Sequence, residues 1–195
     1  MAPIEPNTAQ VKEAARMLVD AEFPVLHVGT GVQHCQAYEE LELVANLLQS
    51  PVTSSWSARG SLCEKNPLSI PLTAIELNDD LRRDSDLILC VGSRVGETDW
   101  WGKSSNWGSF DDQKWIQVDI DEAAIGRTRP VNLGIYGDAK LFFRKLYEEL
   151  KTMTVQINTN ARKERFKSHL SKGEKFRAKL DKHLNDMEAP INSAH

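Results

Sequence analysis

The sequence has no apolar run near the roughly 18 residues needed to cross a bilayer, which argues against a membrane-spanning protein. It has only three cysteines, Cys35, Cys63 and Cys90, far apart and with no Cys-x-x-Cys pair. That count excludes a disulfide scaffold and a zinc ribbon, and the opening Met-Ala-Pro-Ile-Glu-Pro is no signal peptide. A reducing cytoplasm is the expected compartment. An excess of positive charge is also missing: the net charge is −4 over 195 residues, so bulk electrostatics gives no reason to expect nucleic-acid binding. The five histidines share no metal-ligand spacing, and no Ser or Cys stands in a nucleophile-elbow pattern. Neither a metal site nor a catalytic residue is assigned. What is present is ample core material, 41% hydrophobic residues against 27% charged.

The periodicity of that apolar material alternates. Val11, Ala14, Ala15, Leu18 and Val19 make the stripe of a one-faced helix over Thr8 to Glu22, with Asn7 at the N-cap. Pro24 to Val28 is a short apolar run, stopped by Gly29-Thr30-Gly31. Leu41, Val44, Ala45 and Leu48 predict a second helix over Tyr38 to Gln49, and Pro51 to Ser55 a second strand. Ile75 to Arg83 reads as helical. Asp86 to Val91 reads as a strand buried on both faces, followed by strands at Trp115–Asp119 and Leu133–Tyr136. Asp138 caps a closing helix through Leu150. Strands alternating with helices, and apolar on both faces, predict a three-layer, Rossmann-like α/β domain with a mainly parallel sheet of five to six strands.

In such sheets ligands sit beyond the carboxyl ends of the strands. Gly29 and Gly31 follow the first strand, Gly92 and Arg94 the third, Asp119 and Asp121 end the fourth, and Asp138 follows the fifth. Glycine lets a ligand approach main-chain N–H groups, arginine can hold a phosphate or a structural ion pair, and a carboxylate can accept from a ribose hydroxyl or cap a turn. These seven residues are the candidate cofactor-binding set. The dinucleotide fingerprint is incomplete, because His34 occupies its third glycine position. Between the third and fourth strands lies a stretch of 22 residues, Ser93 to Lys114, holding Trp100, Trp101 and Trp107. Its composition favours an interface over stacking on a flat ring.

Residues 151–195 differ from this body. From Asn160 to Glu188 there are nine basic and five acidic residues, with Phe166, Leu170, Leu180, Leu184 and Met187 at helical spacing. The narrow stripe predicts a basic helical linker with solvated flanks.

Taken together, several segments resemble the central domain of thiamine diphosphate-dependent enzymes. They are Phe23-Pro-Val-Leu-His-Val-Gly-Thr-Gly-Val32, Leu47-Leu-Gln-Ser-Pro-Val-Thr53, Asp84-Ser-Asp-Leu-Ile-Leu-Cys-Val-Gly-Ser-Arg94, Ile116-Gln-Val-Asp-Ile-Asp121 and Ile135-Tyr-Gly-Asp-Ala139. The family includes acetolactate synthases, pyruvate and benzoylformate decarboxylases, oxalyl-CoA decarboxylases and benzaldehyde lyases. The resemblance implies a central domain over residues 1–150, flanked in a parent enzyme by pyrimidine-binding and diphosphate-binding domains that hold thiamine diphosphate and Mg²⁺. It implies a homodimeric or homotetrameric parent that decarboxylates or carboligates 2-keto acids, and a middle domain with no catalytic step of its own. No Gly-Asp-Gly diphosphate motif occurs here. Some members bind FAD or ADP and CoA in this domain. Gly-Thr-Gly at the first turn and the segment Arg94-Val-Gly-Glu-Thr-Asp-Trp-Trp-Gly102 depart from the flavin-binding pattern, which leaves a nucleotide module as the lesser alternative.

Overall fold

A computed structural model describes residues 3–184, with side chains described for residues 3–171. The elements follow the alternation of the sequence: α1 (Thr8–Asp20), β1 (Pro24–Val28), α2 (Thr30–His34), α3 (Tyr38–Leu48), β2 (Val52–Ser54), α4 (Ile75–Asp84), β3 (Leu87–Val91), β4 (Lys114–Asp119), β5 (Leu133–Tyr136), α5 (Ala139–Lys151) and α6 (Thr159–Leu184). All five strands are parallel, in the order β2-β1-β3-β4-β5. The expected α/β fold is therefore the observed one. The short α2 is additional, a single turn fitted into the Gly29-Thr30-Gly31 bend.

Burial explains why the strands read as continuous apolar runs. Every residue of β1 and β3 is buried, as is all of β4 except Lys114. Helices α1, α3 and α5 pack together, while α4 packs with α6. On α1 the buried residues are Val11, Ala14, Ala15, Leu18 and Val19, the stripe expected from spacing. Each fully buried valine or leucine of this kind contributes about 1.5–3 kcal/mol, and alanine less. The caps are also those the sequence signals. Asn7 Oδ1 accepts from the N–H of Ala9 at 2.8 Å, and Asp138 Oδ1 accepts from Lys140 and Leu141 at 2.9 and 3.0 Å. Asp86 accepts from the N–H groups of Glu22 and Phe23, which ties the entry of β1 to the entry of β3.

The inner face of α6 departs from a solvated helix. Arg162, Phe166 and His169 are buried. The Arg162 guanidinium donates to the carbonyls of Leu18 (2.7 Å), Val19 (3.3 Å) and Ala21 (2.6 Å) at the end of α1, and of Leu48 (3.0 Å) at the end of α3. Helix C-termini leave carbonyls without partners, and one cation here serves two of them. Burial lowers the Arg162 pKa to about 10, Asp86 opposing, so it stays charged at neutral pH. One turn later Arg165 and His169 both reach the Asp84 carboxylate, at 2.8 Å each. The expectations that fall on residues 185–195 lie outside the described residues.

Replacing Arg162 with Leu strands buried carbonyls at two helix ends. The expected cost is about 3 kcal/mol, measured as a lowered urea midpoint at neutral pH. A midpoint within error of the wild type would show that the guanidinium is not the clasp.

Candidate functional site

The strand order reverses between β1 and β3, and in open parallel sheets such a switch point is where a crevice opens for a ligand. Here the two turns that would flank the crevice close on each other. A Cβ on Gly31 would stand 2.7 Å from Gly92 Cα, and the Gly31 N–H donates to the Gly92 carbonyl at 3.0 Å. Gly92 has φ +62°, which favours glycine. Glycine at these positions thus serves backbone-to-backbone packing. Gly29 lies against Ser93 in the same junction.

The open space lies to one side, over β3, β4 and β5. A cleft of about 220 Å³ is lined by Gly31, His34, Cys35, Gly92, Asp119 and Asp138, among others. Four of the seven candidate residues therefore meet in one place. Gly29, Arg94 and Asp121 are not in its wall. Arg94 is exposed, and its charge only tempers Asp119 from a distance. Asp121 accepts from the N–H of Ala123 at 3.1 Å, the capping role weighed for it from sequence. Asp138 is likewise committed, as the N-cap of α5. Asp119 is the carboxylate left facing the cleft. It accepts from the N–H of Asp121 at 2.9 Å, and its pKa is raised by burial and by the charge of Asp121. The N-terminal segment closes the far side: Pro3 lines the cleft, and the Asp138 N–H donates to the Ile4 carbonyl at 2.8 Å.

These residues fit a dinucleotide poorly. The cleft is smaller than the roughly 300–1,000 Å³ typical of small-molecule sites, and its charged wall residues include two carboxylates where a diphosphate would need donors. Among the described residues no group of three or more His, Cys, Asp or Glu side chains could hold a metal ion. Among them, too, no helix is long and apolar enough to cross a membrane.

A second polar assembly lies beneath the Ser93–Lys114 stretch, and its one mark in the sequence is His27 amid the apolar residues of β1. His27 Nδ1 lies 3.0 Å from Thr53 Oγ1 and Nε2 3.5 Å from the Asp99 carboxylate. Burial lowers the His27 pKa, with Asp99 opposing. Trp107 meets His27 edge-on, donates from Nε1 to the Asp99 carbonyl at 2.8 Å, and carries the Arg82 guanidinium over its ring at 4.5 Å. The interface expectation thus does not hold for Trp107, which is a core residue. Trp100 and Trp101 remain exposed, in a kinked 3₁₀ segment, Glu97–Gly102, at φ 55° and 49°. Such backbone costs about 1–3 kcal/mol per residue and clusters at functional sites. Arg129 pins the segment, donating to the carbonyls of Gly102 and Gly108, both at 2.8 Å.

The raised pKa of Asp119 has a definite sign. A carboxyl group whose folded pKa lies above its unfolded value, near 3.9, destabilises the fold once pH passes through the folded value. Asp119→Asn keeps the acceptor for the Asp121 N–H and removes the charge. The variant is expected to be more stable than wild type at pH 7, with the gain vanishing below about pH 4. Urea titrations across that range check this, and a variant less stable at pH 7 contradicts it.

Comparison with known proteins agrees with this architecture. Residues 11–146 match the family model described as the thiamine pyrophosphate enzyme central domain. The acetolactate synthase large subunit of Cyanidium caldarium is 28% identical over 158 residues, covering 80% of this chain and 26% of that protein. That of Corynebacterium glutamicum is 32% identical over 155 residues, covering 75% and 23%. The solved benzoylformate decarboxylase of Polynucleobacter necessarius shares the fold, with a TM-score of 0.60 at 21% identity over 77% of this chain and 28% of that one. The chain thus spans about a quarter of the length of these curated relatives. Its strand order, its strand-end turns and the match over residues 11–146 lead to one assignment: the chain belongs to the thiamine pyrophosphate enzyme central-domain family.

Proposed function

We propose that this chain acts as the non-catalytic middle domain of a thiamine diphosphate-dependent lyase or transferase that decarboxylates or carboligates 2-keto acids. Its role is structural: it spaces the pyrimidine-binding and diphosphate-binding domains and contributes to homodimer or homotetramer contacts. The observation that carries this reading is the use made of the strand-end polar groups. Asp121 and Asp138 accept from main-chain N–H groups of the segments they cap, and Gly31 and Gly92 pack on each other. Their chemistry is engaged in holding the turns, and of the two carboxylates in the cleft wall, Asp119 and Asp138, each already accepts from a main-chain N–H.

Thiamine diphosphate and Mg²⁺ belong, in this reading, to the neighbouring domains, and the chain itself requires no cofactor. When bound there, thiamine diphosphate would supply a nucleophilic carbon and an electron sink for a 2-keto substrate. This chain's residues contribute a rigid, buried sheet that fixes the separation of the domains on either side. FAD, or ADP and CoA, at the cleft formed by Gly31, Gly92, Asp119 and Asp138 is the lesser reading, opposed by its size and charge. Residues 151–195 form the linker towards the diphosphate-binding domain. Three free thiols, one of them the buried Cys90, suit a reducing cytoplasm.

The test is direct. The purified chain, given thiamine diphosphate, Mg²⁺ and pyruvate, is expected to release no carbon dioxide above the protein-free rate. Cofactor-dependent turnover would sink the proposal.

A further inference from the structure

One face of α4 and two loops meet around a second, smaller cavity, away from the strand-end cleft. Ile75, Asn78, Asp79 and Arg82 recur at i, i+3, i+4 and i+7, so they share one side of the helix. With Ser54, Trp56, Asp99 and Trp100 among the other wall residues, they enclose about 70 Å³. The rim is apolar and open: Trp56 is 61% exposed, Ile75 54% and Trp100 49%. The wall includes Arg82, only 5% exposed. Among the described residues its guanidinium finds no hydrogen-bond acceptor. Nε is buried without one, and Nη1 stands 3.9 Å from the Asp79 carboxylate. The Trp107 ring and the charges of Asp99 and Asp79 offset part of its desolvation, while its N–H groups still lack an acceptor.

We propose that this face is a docking site for a segment of a neighbouring domain of the same thiamine-dependent enzyme. The segment would lay an apolar side chain between Trp56, Ile75 and Trp100 and point an uncharged acceptor, a main-chain carbonyl or a carboxamide, at Arg82. Three observations select this occupant. A cavity of 70 Å³ accepts the tip of a side chain or one peptide group, and falls well short of the volume of a nucleotide. Asp79 and Asp99 stand in the same wall, so a carboxylate would be repelled where a neutral carbonyl is not. Finally, about three quarters of the length of the curated relatives lies outside the region matched here, which supplies polypeptide to cover the face. Exposed tryptophans around a desolvated pocket are the usual anatomy of an interface hot spot. The left-handed backbone at Trp100 and Trp101, which turns these side chains outward, suits the same role. The inference rests on the middle-domain reading and adds the surface through which that domain is held.

The experiment uses the full polypeptide that carries this chain, comparing acrylamide quenching in wild type, Trp56→Phe and Trp100→Phe. Covered tryptophans contribute no quenchable emission, so neither substitution lowers the quenchable fraction. In the Trp56→Ala, Trp100→Ala double variant, amide exchange over residues 95–102 rises. A fall in the quenchable fraction of either Phe variant leaves the face open to water and overturns the proposal. So does protection that vanishes on dilution as the mass falls to that of a monomer, which assigns the face to a second copy. Protection lost in molar salt points to a carboxylate and overturns the neutral acceptor. Thiamine diphosphate binding is read in parallel by calorimetry. Binding with an open face removes only the docking proposal, whereas a covered face without binding removes the middle-domain reading and leaves the contact standing.

Discussion

A parallel sheet covered on both faces has little room for polar side chains except at the ends of its strands. Most features of this molecule follow from that constraint. β1 and β3 are buried throughout, so their turns must carry the change of direction without bulk, and Gly31 and Gly92 pass within backbone contact. The carboxylates that end β4 and precede α5 are drawn into capping, because the adjacent N–H groups have no other partners. The cleft that remains is small and acidic.

Among the few polar residues buried within the strands, His27 organises the opposite corner. An imidazole buried between Thr53, Asp99 and Trp107 must be kept from water and from an unmatched charge at once. Burial favours the neutral ring, and the loop that carries Asp99 and Trp107 becomes part of the core. Held from beneath by Trp107 and from the side by Arg129, the same loop turns Trp100 and Trp101 to the surface. Burial on one side of the segment and exposure on the other are two results of one packing arrangement.

Charge is used in the same economical way by α6. Its basic composition suggests solvation, yet Arg162 is buried where two helices end, and Arg165 and His169 share Asp84. A guanidinium offers several donors in a plane, which is what a group of carbonyls from α1 and α3 requires. The half-buried Asp84–Arg165 contact is reached by water on one side, so it is screened more than the Arg162 clasp. The buried arginine makes the first turns of α6 part of the body.

The sequence by itself determined the element types, their order and most of their bounds. Apolar spacing on α1, α3 and α5, and the unbroken run in β3, reflect burial that only one local geometry satisfies. Asn7 and Asp138 were legible as caps because a cap is a contact between neighbours in the chain. Of the strand-end candidates, Gly31, Gly92, Asp119 and Asp138 come together because the fold class sets strand ends side by side, whereas Gly29, Arg94 and Asp121 stand outside the cleft wall. Tertiary structure alone decided what each residue does there. Whether Gly31 cradles a ligand or packs on Gly92 depends on a turn some 60 residues away. The burial of Trp107, the exposure of Trp100 and the seating of Arg82 on the Trp107 ring depend on which distant groups arrive beside them. Periodicity records how far a side chain is buried, whereas function depends on its neighbours, and those are set by the path of the whole chain.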